Sequence, residues 1–158
     1  MTKALLSLHV IAVILAIGPV TVAASMFAPF VRRALAAEES TRDTASLRTL
    51  HRICRVYAAV GVAVPVLGIG TADSMGILTE AWIAVSIALT IAAAAVLGLA
   101  VLPRQAGILA DFTTETPTDE PVTAKALGRL ASYTGLFNLL WVAVTVLMIV
   151  RPGSSTHA

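Results

Sequence analysis

A chain of 158 residues, 58% hydrophobic and 13% charged, carries more apolar surface than a soluble core of that size can hide. Soluble domains hold roughly 45–50% apolar and about 25% charged residues, so lipid is the solvent this composition fits. The net charge of +2 comes from arginines clustered in short connections. They make no basic face with interleaved aromatics, so no nucleic-acid partner is expected.

The first apolar segment covers residues 4–30 and ends at Arg32-Arg33. A hydrocarbon core about 30 Å thick takes about 20 residues of helix, and this run meets that length. Lys3 and the small residues Val22-Ala23-Ala24 resemble a signal peptide, but signal cores are about 7–15 residues. A retained helix is therefore expected. Pro19 follows Gly18 within it and is expected to kink it. The connection that follows begins with Ala34 to Glu39, good helix formers, so this helix is expected to project beyond the membrane.

The second segment covers residues 53–71, with a further kink expected at Pro65. Cys54 lies at its start. A lone cysteine makes neither an internal disulfide nor a paired metal site, and its expected role is that of a small buried hydrophobe. A short turn leads to the third segment, residues 81–102. The stretch 105–123 includes an acidic run rich in threonine and proline, and is expected to be a flexible loop. The fourth segment covers residues 130–150. Residues 152–158 read as a disordered tail. None of the four segments has a charged residue in its central part. Backbone groups in lipid must be satisfied within the segment, so the fold class predicted is all-α, a four-helix transmembrane bundle forming one domain.

Lysine and arginine counts orient such a bundle. Arg32, Arg33, Arg42, Arg48, Arg52, Arg55, Arg104, Lys125 and Arg129 fall on one side, and only Lys3 and Arg151 on the other. Nine against two places the long connections in the cytoplasm and both termini outside.

Small residues let membrane helices approach closely, and Ala94, Gly98, Gly61, Gly68, Gly128 and Gly135 are available for this. Asn138 is the most deeply placed strong polar side chain and is expected to bond to another helix. His9, in the first turns of helix one, is the candidate cofactor ligand, because an ionisable group at membrane depth is a functional candidate and neutral imidazole binds metal and heme iron. His51 starts helix two on the opposite side, in a turn expected to face headgroups, so one heme held by both histidines of a single chain is not expected. Asp73, Glu80 and Arg151 end helices near His9. His9, Asp73, Glu80 and Arg151 form an expected outer-side polar cluster, in which Arg151 pairs with Glu80 or Asp73. Trp82 is expected to anchor the interface.

Leu8-His9-Val10, then Gly18, then the basic helix end resembles the bacterial integral membrane proteins of the domain of unknown function 2269 family. Leu50-His51-Arg52, Gly61, Gly68 and the ending at Pro103 fit the same resemblance, which implies the bacterial inner membrane and brings no established activity. The early Leu-His pair is also similar to copper-resistance D-type membrane proteins and to the four-helix protoporphyrinogen oxidase. By that likeness His9 is a heme or copper ligand. The chain departs from both groups in having no second intramembrane histidine on that side and no methionine-rich path, since Met26, Met75 and Met148 are scattered.

No protease, nucleotide-binding or hydrolase motif appears, so the first functional expectation is an accessory or partner-binding membrane subunit without enzymatic activity. The second is a heme- or metal-binding redox protein using His9. The third is a small oligomeric transporter. Expected partners are the lipid bilayer and either another membrane protein or further copies of the chain.

Overall fold

A computed structural model describes residues 2–36, 41–112 and 123–152. The described residues are helical, with no strand among them. Helix α1 runs Thr2–Ala36, which at 1.5 Å per residue is about 52 Å, well beyond the hydrocarbon thickness. It continues through Pro19 and Pro29. Its buried stripe, Ala16, Val20, Ala23, Phe27, Val31 and Ala34, recurs every three or four residues, the period of a helix packed along its length.

Helix α2, Thr41–Gly61, and helix α3, Ala63–Ser74, are one membrane crossing interrupted at Val62. Pro65 has no N–H for the Gly61 carbonyl, and its ring crowds that turn. The chain answers with a tighter bond, Val62 N to Ala59 O at 3.2 Å. Helix α3 stops at Gly76, whose φ of 68° is a left-handed conformation that glycine adopts without penalty. The bonds Gly76 N to Asp73 O and Ile77 N to Ala72 O then close the helix end.

Helix α4, Ala81–Ala95, passes through a π-helical turn, Val96–Val101, into α5, Leu102–Asp111. The π turn directly precedes Pro103, which leaves a carbonyl one turn earlier without its usual donor. The third crossing is thus longer than the expected 81–102, and residues 105–111 are helix rather than loop. The correction has a plain cause. Gln105 and Ile108 are buried against the bundle, whereas the acidic threonine–proline run begins only at Thr113 and lies outside the described residues, as does the tail beyond Pro152. Helix α6, Ala124–Val150, starts with Thr123 Oγ1 accepting from Ala126 N at 3.2 Å. It ends at Arg151 in a left-handed conformation, φ 45°.

Four helices are long and apolar enough to cross a membrane, and the protein is a multi-pass, all-α membrane bundle. Each crossing packs against the next, and the fourth returns to the first, an up-down-up-down ring. The main core, which includes Phe27, Leu47, Val101, Leu130 and Phe137, fills the arginine-rich half. A smaller cluster, Ala72, Trp82 and Ile83, sits at the amino-terminal end. Between the two, the bundle is incompletely filled.

Candidate functional site

His9 projects from α1 toward α3 and is only 6% exposed. Its Nδ1 lies 3.1 Å from the Val64 carbonyl. A carbonyl only accepts, so Nδ1 carries the proton and Nε2 is left with a free lone pair. The bond therefore sets both tautomer and ring direction. A Cβ at Gly68 would come within 3.0 Å of His9 Cε1, so the absence of a side chain at Gly68 is what admits the ring. A proline at position 65 leaves the Gly61 carbonyl without its helical donor. The carbonyl in use belongs to Val64, not to Gly61, and the imidazole takes its second lone pair.

His9 borders a cavity of about 430 Å³ between α1, α3, α4 and α6. Its wall includes Leu6, Thr71, Met75, Trp82, Ile149 and Arg151. Val10, Ile14 and Ile149 on its rim are strongly exposed, so the cavity faces the hydrocarbon side. A smaller space of about 60 Å³ continues inward past Ser86 and Thr90 to Trp141.

Most wall hydroxyls are already committed. Thr71, Ser86, Thr90 and Thr145 each donate to a carbonyl four residues back in their own helix, the usual refuge of a hydroxyl in an apolar setting. Three polar groups remain available to an occupant. They are His9 Nε2, the Arg151 guanidinium and the Trp82 indole N–H, which is buried and without a hydrogen-bond partner among the described residues. Such an orphan donor calls for an acceptor beyond the described residues.

Of the expected outer-side cluster, His9 and Arg151 share this cavity, while Asp73 and Glu80 do not line it. The expected pairing of Arg151 with a carboxylate is corrected. The guanidinium lies over the Trp82 ring at 5.8 Å and Arg151 Nε donates to Met148 O at 3.4 Å, because the left-handed cap turns the side chain back over its own helix end. Trp82 is thus a wall residue of the site as well as a residue near a membrane boundary.

The arginine-rich end holds a separate polar contact. Gln105, fully buried, accepts from His51 Nδ1 at 3.2 Å and donates to Cys54 Sγ at 3.7 Å. His51 is therefore tied to α5 rather than turned to headgroups. Arg104 stacks on the Tyr133 ring at 4.4 Å and caps the Ala100 carbonyl at 2.8 Å. Asn138 Nδ2 donates to Ser25 Oγ at 3.2 Å, joining α6 to α1.

Sequence reasoning missed Gln105, which it assigned to a loop, and the His9–Gly68 contact, for which a glycine 59 positions away in the chain offers no signal. Three or more His, Cys, Asp or Glu side chains grouped to hold a metal ion do not occur among the described residues. No protein-family profile, curated protein or solved structure matches the chain.

Proposed function

We propose that this protein binds a planar amphiphilic cofactor of the heme class in the His9 cavity, where His9 Nε2 would be the nitrogen that holds it. The observation that carries the reading is the His9–Val64 bond. Histidines that ligate iron or other metals characteristically donate their second ring N–H to a carbonyl or carboxylate, which fixes the tautomer and raises ligand basicity. Here that arrangement stands inside an apolar cavity whose volume lies in the range of small-molecule and cofactor sites.

A bare copper or zinc ion fits poorly, because it needs three or four protein ligands and His9 has no such companions among the described residues. A porphyrin brings four nitrogens of its own and asks the protein for only one or two. Arg151 and the Trp82 N–H suit the acidic edge groups of such a molecule, and the surrounding Leu, Ile and Val side chains suit its apolar face. When bound, heme supplies one-electron exchange. The chain's own residues orient it, neutralise its carboxylates and exclude water. The arginine distribution supports an outer-leaflet position for this cavity in a cytoplasmic membrane.

Absorption spectroscopy of the purified protein, before and after heme reconstitution, tests the proposal. The expected result is a Soret band that is lost in His9→Ala and present in His51→Ala. No Soret band and no bound iron after reconstitution, or an unchanged spectrum in His9→Ala, would overturn it.

A further inference from the structure

The His9 cavity has two unlike boundaries. At the end of the bundle it is roofed. The α3–α4 turn folds over it, with Ile77 N donating to Ala72 O at 3.0 Å and Ile77 packed on Ala72, Trp82 and Ile83. Arg151 lies across the Trp82 ring from the end of α6. Its backbone is left-handed, φ 45° and ψ 58°, a conformation that costs any residue with a Cβ. A residue before a proline, here Pro152, also prefers an extended backbone. Strain of that kind persists where the surrounding structure imposes it, and it keeps the guanidinium at the roof.

Toward lipid the boundary is open. On the deep walls His9, Thr71, Ala72, Trp82 and Ile83 are at most 7% exposed. On the rim Val10 and Ile14 of α1 and Ile149 of α6 are 47%, 65% and 76% exposed, and all three are aliphatic. Helices α1 and α6 run antiparallel and are tied by the Asn138–Ser25 hydrogen bond. Ile14 lies eleven residues before Ser25 and Ile149 eleven after Asn138, so both stand about 16 Å along their helices from that bond and at one height. Toward that end α1 leans on α3 instead, through His9, Val64 and Gly68. The seam between α1 and α6 is thus closed at Ser25 and parted at Ile14 and Ile149, where the cavity reaches it.

We propose that the His9 cavity takes up and releases its occupant through this seam, from the hydrocarbon of the bilayer and not from water. The inference rests on the reading of the cavity as a heme-class site and names where that ligand comes from. A planar amphiphile dissolved in a leaflet keeps its apolar face among the acyl chains and its acidic edge at the headgroups. Passage between Ile14 and Ile149 leaves the apolar face in an apolar setting throughout and uncovers no buried polar group of the protein. It also leads the acidic edge toward Arg151 at the end of α6. Entry past the roof would instead part Arg151 from Trp82 and expose the apolar face to water. The step that supplies the ligand is therefore one that releases it into the membrane.

Stopped-flow Soret kinetics of the full chain in phosphatidylcholine–phosphatidylglycerol vesicles test it. Uptake is followed after ferric heme is mixed with the vesicles, and release after a water-soluble heme-binding globin is added to the loaded protein. Ile14→Trp and Ile149→Trp narrow the seam from either side, and both positions are exposed enough to keep the fold, which circular dichroism checks. Each is expected to slow uptake and release several-fold by the same factor, with the final Soret amplitude and Kd unchanged. Leu78→Trp, on the exposed α3–α4 turn, is expected to leave both rates as they are. Rates untouched by the two seam variants, slowing by Leu78→Trp alone, or a changed Kd without a change in uptake rate would each overturn the proposal while leaving the heme-class reading intact. Absence of a Soret band in the wild-type chain would remove that reading, and this inference with it.

Discussion

At the scale of single residues, the His9 site depends on a missing side chain as much as on the imidazole. Gly68→Ala would put a methyl group 3.0 Å from His9 Cε1, tighter than ordinary contact, and the ring must turn away from Val64. The expected result is a loss of cofactor affinity of roughly 10–100-fold, the usual effect of disturbing the group that orients a ligand. Overpacking adds a destabilisation of about 1–3 kcal/mol. Soret titration and thermal unfolding measure the two effects separately. Trp82→Phe makes the opposite split. It keeps an aromatic ring beside Arg151 but deletes a buried donor that has no partner among the described residues. Since an unsatisfied buried donor is itself a cost, the apoprotein should be as stable as wild type or more so, while cofactor affinity falls. A stability loss with unchanged affinity would show that Trp82 only packs.

At the scale of elements, the third crossing is the one whose course depends on packing. Its π turn before Pro103 and the continuation to Asp111 bring Gln105 between α2 and α5, where it bridges His51 and Cys54. Gln105→Leu leaves the buried end of α5 without this polar bridge and His51 without an acceptor, for an expected cost of about 1–3 kcal/mol. The Cys54 thiol, buried in the native chain, should then react faster with a maleimide, which a time course of labelling in detergent reads directly. An unchanged labelling rate would mean that α5 is held by apolar contacts such as Ile108 alone. The α2–α3 crossing differs in kind. Its interruption at Val62 is local to the Gly61–Pro65 turn, and a single tighter backbone bond absorbs it.

At the scale of the whole molecule, the core fills the arginine-rich half and leaves the amino-terminal half cavitated. A bundle in lipid gains little from closing apolar gaps, since hydrocarbon solvates them as well as side chains do. Space beside His9 therefore persists at small cost. The orientation proposed from the arginine distribution has its own test. In intact cells, cysteines introduced at Ser155 and Thr116 are probed with a membrane-impermeant maleimide. The expected outcome is labelling at 155 and protection at 116. The reverse pattern would invert the assignment of both ends and move the His9 cavity to the inner leaflet.

What the sequence determined by itself is the set of four apolar lengths, and with them the all-α class, because span length and backbone satisfaction in lipid leave no other solution. It also marked His9 and Asn138, since polar groups stand out in apolar runs. Helix ends were legible only in part. Hydropathy marks where lipid begins, whereas α1, α2 and α6 run on past it and α5 is held by burial of Gln105 and Ile108. Tertiary structure alone decided which groups meet. The His9–Val64 bond and the Gly68 clearance join residues about 55 and 59 positions apart. The turn of Arg151 toward Trp82 instead of a carboxylate depends on one left-handed cap. Hydropathy is a property of each segment, but a site is a property of how segments rotate and slide against one another, and no run of residues states that.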